Sequence, residues 1–548
     1  MQMARKRRDR SGKKKKAMKK PENKRHIMKR RKRSVKEVRT PKQTKSRIIH
    51  QEEYHGPEYS AWDFLKKSQI REFESFSQDY FNSLSNRTVT QRTKFIIDSL
   101  ENNGFKPIKQ LTGGRSLAEI AGGDFDLSGK FGAGSKFYDI FQEDLIIAGQ
   151  LGRKLMQKGI HLAFAHTDSP CLAGIGSFKQ DYGIAYTLAE PVGDFNPDNW
   201  FNVPLTLHFE GFRKNKGTRR LEQIDFTVGD QDRDPCFAIS NESSHLGDGE
   251  PTSRNQLKVI LSNKPCFKRA DPKTRVLSNI LDLFYKEFGV TREDFKNAKI
   301  TFVPSVKQKW IGADYSLISG FGQDAWGCGV PLLWGFTNTK NPEYTAVLHF
   351  HPGEETGDET RASVATNYAS DVFLPAIAEL RGEDLGKHYK GLIGNGISVW
   401  ADTMEAIHGS RPDLHEPHDS AYVGAGVVFE RQSGDEDRWD GYVSSPAVLA
   451  GFGELFKEKN IPYQIATCGH AEERIPGCTK IHHPLFTEGI NWALPLLGSH
   501  KGAGEISSPI DLWTLACAAK AFYSMKNHDD YFPKTKKFEE PERLKTLK

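Results

Sequence analysis

The sequence feature that most constrains the fold is a series of short apolar segments that alternate with longer segments of helical periodicity. The apolar segments are DLIIAGQ (144–150), IHLAFAH (160–166), TAVLHF (345–350) and ISVWAD (397–402). Segments of this length that end in polar turn residues are typical of buried strands. The sequences at 365–380 and 445–460 instead repeat apolar residues at helical spacing. This alternation predicts an α/β fold with a mostly parallel sheet covered by helices.

The distribution of charge and the pattern of apolar residues divide the chain further. Residues 1–50 hold 23 of the 78 Lys and Arg residues and only three acidic ones, a composition typical of a disordered segment. Short alternating segments between 176 and 309 predict an inserted β-rich domain. The predicted organisation is a basic tail at 1–50, two parts of one α/β domain at 51–175 and 310–530, the insertion at 176–309, and a charged C-terminal tail at 531–548.

The seven cysteines are scattered singly and form no CxxC pair, so the sequence does not predict a disulfide scaffold. Cys468 and Cys478, with His470, His482 and His483 nearby, could form a zinc knuckle, although their spacing matches no common structural zinc site. The alternative is that they are buried or incidental thiols. Retained thiols and the absence of a signal peptide or an apolar run of about 18 residues predict a cytoplasmic location.

Polar side chains of a few chemical types lie where predicted strands give way to loops. They are His166, Asp168, Asp324, Glu354, Glu355, Asp402 and His500. Ligands of open α/β sheets bind at the carboxyl ends of the strands, and imidazole and carboxylate are the groups that zinc prefers. Taken singly, each of these residues is more often a helix cap or a surface residue than a ligand. The Glu354–Glu355 pair is more informative, because adjacent like charges at a buried strand end are costly unless a cation offsets them.

From about residue 60 to 525 the chain resembles the aspartyl aminopeptidase and aminopeptidase I family of dinuclear zinc exopeptidases. Five motifs occur in the family's order: HTDSP (166–170), GADYSLISGFGQD (312–324), EETG (354–357), AD (401–402) and EISSPIDLW (505–513). The resemblance implies a zinc-exopeptidase α/β domain that a β-rich oligomerisation domain interrupts after the HTDSP strand. It also implies two zinc ions, with Co²⁺ and Mn²⁺ as alternatives.

The resemblance also implies a role for each residue of the motifs. His166 and Asp402 correspond to ligands of one zinc ion. Glu355 and His500 correspond to ligands of the other, and Asp324 corresponds to the bridging carboxylate.

Three further residues take supporting roles by the same resemblance. Asp168 would orient the His166 ring, and Glu354 would be the general base. His208, or less directly His245, would reach the substrate of a neighbouring subunit. The implied activity is hydrolysis of the N-terminal peptide bond of short peptides by a homo-oligomer, which in the family can be a tetrahedral dodecamer.

Departures from the family pattern leave alternatives open. Ala325 and Trp326 replace polar residues after Asp324, and His500 lies five residues before Glu505 instead of four, which makes His482 and His483 fallback ligands. One alternative is therefore a catalytically altered pseudoenzyme of the same fold. Another is a protein whose basic tail binds nucleic acid or another polyanion, an interaction that salt would weaken steeply. The preferred N-terminal residue, acidic or neutral, stays open.

Overall fold

The computed structural model describes residues 57 and 59–532, apart from gaps at 122–130, 216, 242–244, 246–256, 269–270, 358–361, 385–388, 390, 393, 432–443 and 468–487. The predicted basic tail, residues 533–548 of the predicted C-terminal tail, and the cysteines and histidines between 468 and 483 therefore lie outside the described residues. No helix in the described part of the chain is both long and apolar enough to span a membrane.

A nine-stranded sheet forms the centre of the larger α/β region. Its strands, numbered in chain order and given from one edge of the sheet to the other, are β1 (Lys106–Pro107), β2 (Lys136–Phe141), β3 (Leu145–Gln150), β13 (Thr345–His351), β4 (Ile160–His166), β14 (Ile397–Glu405), β17 (Glu488–Leu496), β15 (Val427–Glu430) and β16 (Tyr463–Ala466). Five of the eight strand pairs are parallel, including the four adjacent central strands from β13 to β17. The prediction of a mostly parallel sheet is confirmed.

Helices cover both faces of this sheet, as the alternating sequence pattern predicts. The helices are α1 (Ile70–Ser83), α2 (Val89–Asn102), α3 (Ile108–Leu111), α4 (Leu117–Ala121), α6 (Gln323–Thr337), α7 (Leu374–Arg381), α8 (Pro446–Lys459) and α9 (Pro509–Tyr523). Helices α1, α2, α6, α8 and α9 share one apolar core with the sheet. Helices α3, α4 and α7 pack into a second core on the opposite face.

A six-stranded antiparallel sheet is built from residues between 171 and 304. Its strands, in spatial order, are β8 (Leu221–Val228), β7 (Leu205–Lys214), β10 (Lys299–Pro304), β5 (Cys171–Asp181), β6 (Ile184–Val192) and β9 (Leu257–Ser262). One further helix, α5 (Arg275–Phe288), packs with this sheet in a third apolar core, which the sequence pattern alone did not predict. A small sheet of β11 (Lys309–Ile311), β12 (Leu317–Gly320) and β18 (Glu505–Ser507) completes the strands.

Helix α6 is the element that local sequence propensity disfavours most. It contains three glycines and Pro331, yet every residue except Trp334 is buried. Glycine is useful here because it lets α9 approach closely: a Cβ atom on Gly335 would lie 2.5 Å from the Cβ of Ala519 and 2.7 Å from the backbone N of Lys520. Tertiary burial therefore outweighs the unfavourable helix propensity of α6.

We expect Gly335→Ala to lower the free energy of unfolding by about 1–3 kcal/mol, because the added methyl group overpacks the contact between α6 and α9. Denaturant unfolding of both proteins measures the change. Gly132→Ala is the control, since a Cβ atom there would meet no atom within 4 Å. Equal stability of the two variants would contradict the packing argument.

Candidate metal centre

The register of three parallel strands brings the predicted residues to one edge of the nine-stranded sheet. His351 of β13 lies opposite His166 of β4. On the other side of β4, Trp400 of β14 lies opposite Phe164, which puts Asp402 level with His166. The Phe164 and Trp400 rings stack with their centroids 3.7 Å apart. This stacked pair lies two residues before His166 and Asp402 and packs β4 against β14.

A first group of potential ligands forms around His166. Ligand atoms of His166, Glu354 and Asp402 all lie within 4.8 Å of one another. The Nε2 atom of His166 is 3.2 Å from Oδ1 of Asp402, while its Nδ1 atom faces Oδ1 of Asp168 at 3.4 Å. Asp168 also accepts a hydrogen bond from the backbone N–H of Glu355 at 3.1 Å. Asp168 thereby connects the His166 ring to the turn that carries both glutamates.

A second group forms beside the first. Ligand atoms of Asp324, Glu355 and His500 lie within 4.8 Å of one another. Asp324 belongs to the first turn of α6, Glu355 to a short helical turn after β13, and His500 to the loop between β17 and β18. Oδ2 of Asp324 is 3.3 Å from Nε2 of His500 and 3.7 Å from Nε2 of His166. One carboxylate oxygen thus lies between the two groups.

Burial and neighbouring negative charges raise the pKa values of three carboxylates in the two groups. Burial and the charge of Asp402 raise the pKa of Glu354 to about 8. Burial and the charge of Asp324 raise the pKa of Glu355 well above its ordinary value, and burial also raises the pKa of Asp402. These carboxylates destabilise one another in their charged forms, and a bound cation would relieve the repulsion.

Neighbouring carboxylates raise the pKa values of the two histidines. Burial alone would lower the pKa of His166, but the charge of Asp402 and the hydrogen bond to Asp168 raise it well above its ordinary value. Burial would likewise lower the pKa of His500, but hydrogen bonds to Asp194 and Asp324 raise it to about 12. Without a metal ion, these two rings supply the positive charge that the carboxylates require.

The donor set fits divalent metal ions. The two groups offer imidazole and carboxylate atoms, the ligand types that zinc takes from protein. Oε1 of Glu355 is buried and finds no hydrogen-bond partner in the described part of the chain; His500 Nε2 lies 3.5 Å from it. A metal ion would satisfy this oxygen.

A buried arginine ties two of the ligand-bearing segments together. Arg92 of α2, which is 1% exposed, donates through Nη1 to the carbonyl oxygens of Thr167 and Asp168 and to the hydroxyl of Ser169. Through Nη2 it donates to the carbonyl oxygen of Gly322, which precedes α6. Its remaining hydrogen bond, from Nε, goes to Asn86. The guanidinium therefore fixes the loop after β4 against the start of the helix that carries Asp324.

Glu505 fixes a third segment. Its Oε2 atom accepts the backbone N–H groups of Gln323 and Asp324 at the N-terminus of α6. Its Oε1 atom accepts the backbone N–H of His500 at 2.9 Å. One buried carboxylate thus caps α6 and holds the His500 backbone, which has a left-handed φ of 60°. This conformation costs energy for a non-glycine residue, and the hydrogen bond to Glu505 helps to hold it.

The replacements after Asp324 are accommodated in the core. Ala325 and Trp326 are both fully buried. The Trp326 indole N–H donates to the carbonyl and hydroxyl oxygens of Ser83, and its ring packs on Phe95. Both replacements therefore belong to the helix-packing core.

The remaining predicted histidines lie elsewhere. His208 is on β7 of the six-stranded sheet, where its Nδ1 atom pairs with the Thr227 hydroxyl at 3.1 Å. Among the described contacts, none joins His208 to the two ligand groups. The loop between β14 and β15 contains three further histidines, His408, His415 and His418. His245 is described without a contact to the site, and His482 and His483 lie outside the described residues.

Four residues at or near the centre were given no role by the sequence. Arg92, Asp194 and His351 lie in no motif, and no local pattern marks them. Glu505 belongs to the EISSPIDLW motif but received no role. A buried arginine next to predicted ligands is visible only once α2 is packed, so the sequence offered no signal for it.

Comparison with known proteins now decides the family. The aminopeptidase I zinc metalloprotease (M18) family matches residues 126–482. The chain belongs to this M18 family. It is 27% identical over 477 residues to a probable M18 family aminopeptidase 1 of Thermotoga neapolitana, covering 84% of this chain and 98% of the relative.

Solved structures agree with this assignment. The M18 aminopeptidase structure from Thermotoga maritima has a TM-score of 0.73 at 24% identity, covering 85% of this chain and 99% of that one. A structure of the S. cerevisiae mApe1 dodecamer has a TM-score of 0.64 at 16% identity, covering 84% and 98%. These likenesses confirm the α/β fold. By family, this M18 protein is a zinc aminopeptidase, as the five motifs predict.

We expect Arg92→Lys to destabilise the protein, although the positive charge is kept. An ammonium group has three N–H donors, so at least two of the five acceptors of Arg92 lose their partner, at about 1–3 kcal/mol for each buried acceptor. Denaturant unfolding of the metal-free protein measures the loss. Arg71→Lys on the exposed face of α1 is the control. If Arg92→Lys lowers the free energy of unfolding no more than Arg71→Lys does, the hydrogen bonds of Arg92 do not stabilise the protein as argued.

Proposed function

We propose that this M18 protein removes N-terminal residues from short peptides with two zinc ions. His166 and Asp402 would hold one ion, Glu355 and His500 the other, and Asp324 would bridge them. The observation that carries this proposal is the position of Asp324 Oδ2, 3.7 Å from one histidine and 3.3 Å from the other. A carboxylate placed between two ligand groups is the arrangement that two-metal hydrolases require.

The general base in this proposal is Glu354. When bound, the zinc ions would lower the pKa of a water molecule and polarise the scissile carbonyl. Glu354 would accept the proton of the attacking water and return it to the leaving amine. Its position supports this role, because its carboxylate lies within 4.8 Å of the ligand atoms of His166 and Asp402 without a hydrogen bond that would occupy it among the described contacts.

Asp168 would act through His166. Its carboxylate faces the Nδ1 atom of the ring, which leaves Nε2 directed towards Asp402. A carboxylate in this position fixes the tautomer and the orientation of a metal-binding imidazole. The same carboxylate holds the backbone of Glu355, so both ion positions would depend on it.

The pseudoenzyme alternative is weaker than this proposal. It was suggested by Ala325 and Trp326, but both side chains are buried in the packing of α6. Every predicted ligand and the predicted base have their functional atoms within the two groups. Buried polar clusters of this kind are costly without a function, which favours turnover.

We expect Glu354→Gln to reduce kcat about 100-fold or more, because the variant cannot accept the proton of the attacking water. Amino-acid release from a panel of short peptides with varied N-terminal residues measures this and identifies the specificity. Glu293→Gln, an exposed glutamate in the region of the six-stranded sheet, is the control. If wild type and Glu354→Gln both bind two metal ions but neither cleaves any peptide, the pseudoenzyme alternative is correct.

We also propose a homo-oligomer, a dodecamer like that of mApe1, in which residues 176–309 form the domain that pairs subunits. The mApe1 dodecamer supports this proposal through its shared fold. His208 would contact the substrate of a neighbouring subunit; its buried Nε2 atom has no hydrogen-bond partner in the described part of the chain. Cytoplasmic location stays a prediction from the cysteine pattern, and the similar proteins give no support to nucleic-acid binding by the basic tail.

The proposed assembly determines the mass of the protein in solution. Because the proposed dodecamer closes on itself, we expect one species of about twelve times the 61.8 kDa chain. Sedimentation velocity or light scattering measures this mass. Leu221→Asp, at an exposed position of edge strand β8, provides a matched variant that should shift the mass downwards if this sheet pairs subunits. A monomeric wild type would contradict the proposal.

A further inference from the structure

The two imidazoles of the metal centre are oriented in the same way. In each ring, Nε2 points towards ligand carboxylates and Nδ1 points towards an outer carboxylate. For His166 the outer carboxylate is Asp168, two residues along the chain. For His500 it is Asp194, which is 306 residues away and lies in the loop between β6 and β7. No sequence motif contains Asp194.

We infer that Asp194 is a positioning residue that orients His500 for the second metal ion. Its Oδ2 atom lies 3.2 Å from Nδ1 of His500. Its backbone N–H faces Oε2 of Glu355 at 3.4 Å. Asp194 therefore contacts two of the three members of the second ligand group. This inference rests on the proposed two-metal site and adds a residue from the six-stranded sheet to it.

The loop around Asp194 is shaped for this approach. Gly193 has φ +81°, and a Cβ atom there would lie 2.9 Å from the Cβ of Glu355 and 3.0 Å from its Oε2. Only glycine meets both conditions without displacing the ligand, because other residues disfavour this φ and would collide with Glu355. Asp194 can therefore reach the centre from a different sheet.

A second set of contacts holds the same loop against the His500 loop. The indole N–H of Trp200, a fully buried residue, donates to the carbonyl oxygen of His500 at 3.3 Å. Lys501 donates to the side chain of Asn199 at 3.1 Å. A Cβ atom on Gly502 would lie 3.1 Å from the Trp200 ring. The two loops thus form one packed unit in which the backbone of His500 is already fixed.

A fixed backbone does not fix the ring of His500. Its side chain can still rotate, and either nitrogen can carry the proton. A carboxylate that accepts the Nδ1 proton selects one tautomer, leaves Nε2 for the metal and increases its basicity. Asp194 is placed to do this, as Asp168 is for His166.

The exposure of Asp194 separates this role from a structural one. Its side chain is 55% exposed, and an exposed ion pair contributes little to folding stability. Loss of the carboxylate should therefore leave the metal-free protein as stable as wild type. It should weaken the metal site that contains His500 by about 10–100-fold, the usual effect of losing such an outer contact.

The test is a competition titration of metal-free protein with Zn²⁺ and a chromophoric chelator, which resolves two dissociation constants. For Asp194→Ala we expect one constant to rise about 10–100-fold and the other to stay within about threefold of wild type. For Asp194→Asn, which keeps an acceptor without the charge, the weakened constant should lie between those of wild type and Asp194→Ala. Asp198→Ala removes an exposed carboxylate from the same loop and should match wild type.

Two further measurements assign the effect to His500. The visible absorption spectrum of the Co²⁺-loaded protein should change in Asp194→Ala and remain unchanged in Asp198→Ala. In a His500→Ala background, Asp194→Ala should cause no additional loss of affinity, because the two residues act as one unit.

The outcomes separate this inference from the proposed function. Two zinc ions bound to Asp194→Ala with wild-type constants would overturn the positioning role and leave the two-metal proposal intact. Equal weakening of both constants, or a lower unfolding midpoint of the metal-free variant, would also overturn it in favour of a structural role. A wild-type protein that binds fewer than two ions would overturn both proposals.

Discussion

The hydrogen bonds of Arg92 are the interaction on which the candidate metal centre most depends. The candidate ligands come from five separate places in the chain, so their relative positions require a link that does not depend on a bound ion. Arg92 provides it between the loop after β4 and the start of α6. Burial lowers the pKa of Arg92 to about 10 while the charges of Glu505, Asp168 and Asp324 oppose that shift, so the guanidinium stays charged at neutral pH. Its charge also offsets part of the repulsion among the carboxylates.

Glu505 extends this framework to the last ligand. One carboxylate binds both the N-terminus of α6 and the backbone of His500. Movement of one segment relative to the other would therefore break hydrogen bonds to Glu505. The left-handed backbone of His500 is a local cost that these bonds outweigh. Glu505 is fully buried, and this burial raises its pKa to about 7. The candidate centre is therefore held together by hydrogen bonds of Arg92 and Glu505 that do not involve the candidate ligand atoms.

The six-stranded sheet contributes to the site as well as to the proposed assembly. Its loop between β6 and β7 carries Asp194 and Trp200, which contact the ring and the backbone of His500. Insertion of a sheet immediately after the β4 strand end places its first loops beside the metal ligands. A change in this region can therefore alter the metal centre without touching a ligand.

The sequence by itself determined the strands β3, β4, β13 and β14 and the parallel α/β arrangement. These features follow from local apolar patterns. His166 ends its strand as predicted, whereas β14 continues past Asp402 to Glu405, so the prediction that Asp402 ends its strand is wrong. Only the tertiary structure decided α6, whose glycines and proline disfavour a helix until burial stabilises it. It also decided which groups Arg92, Glu505 and Asp194 contact. Their hydrogen-bond partners include segments far away along the chain, up to 306 residues in the case of Asp194, and no local pattern can specify a partner at that distance.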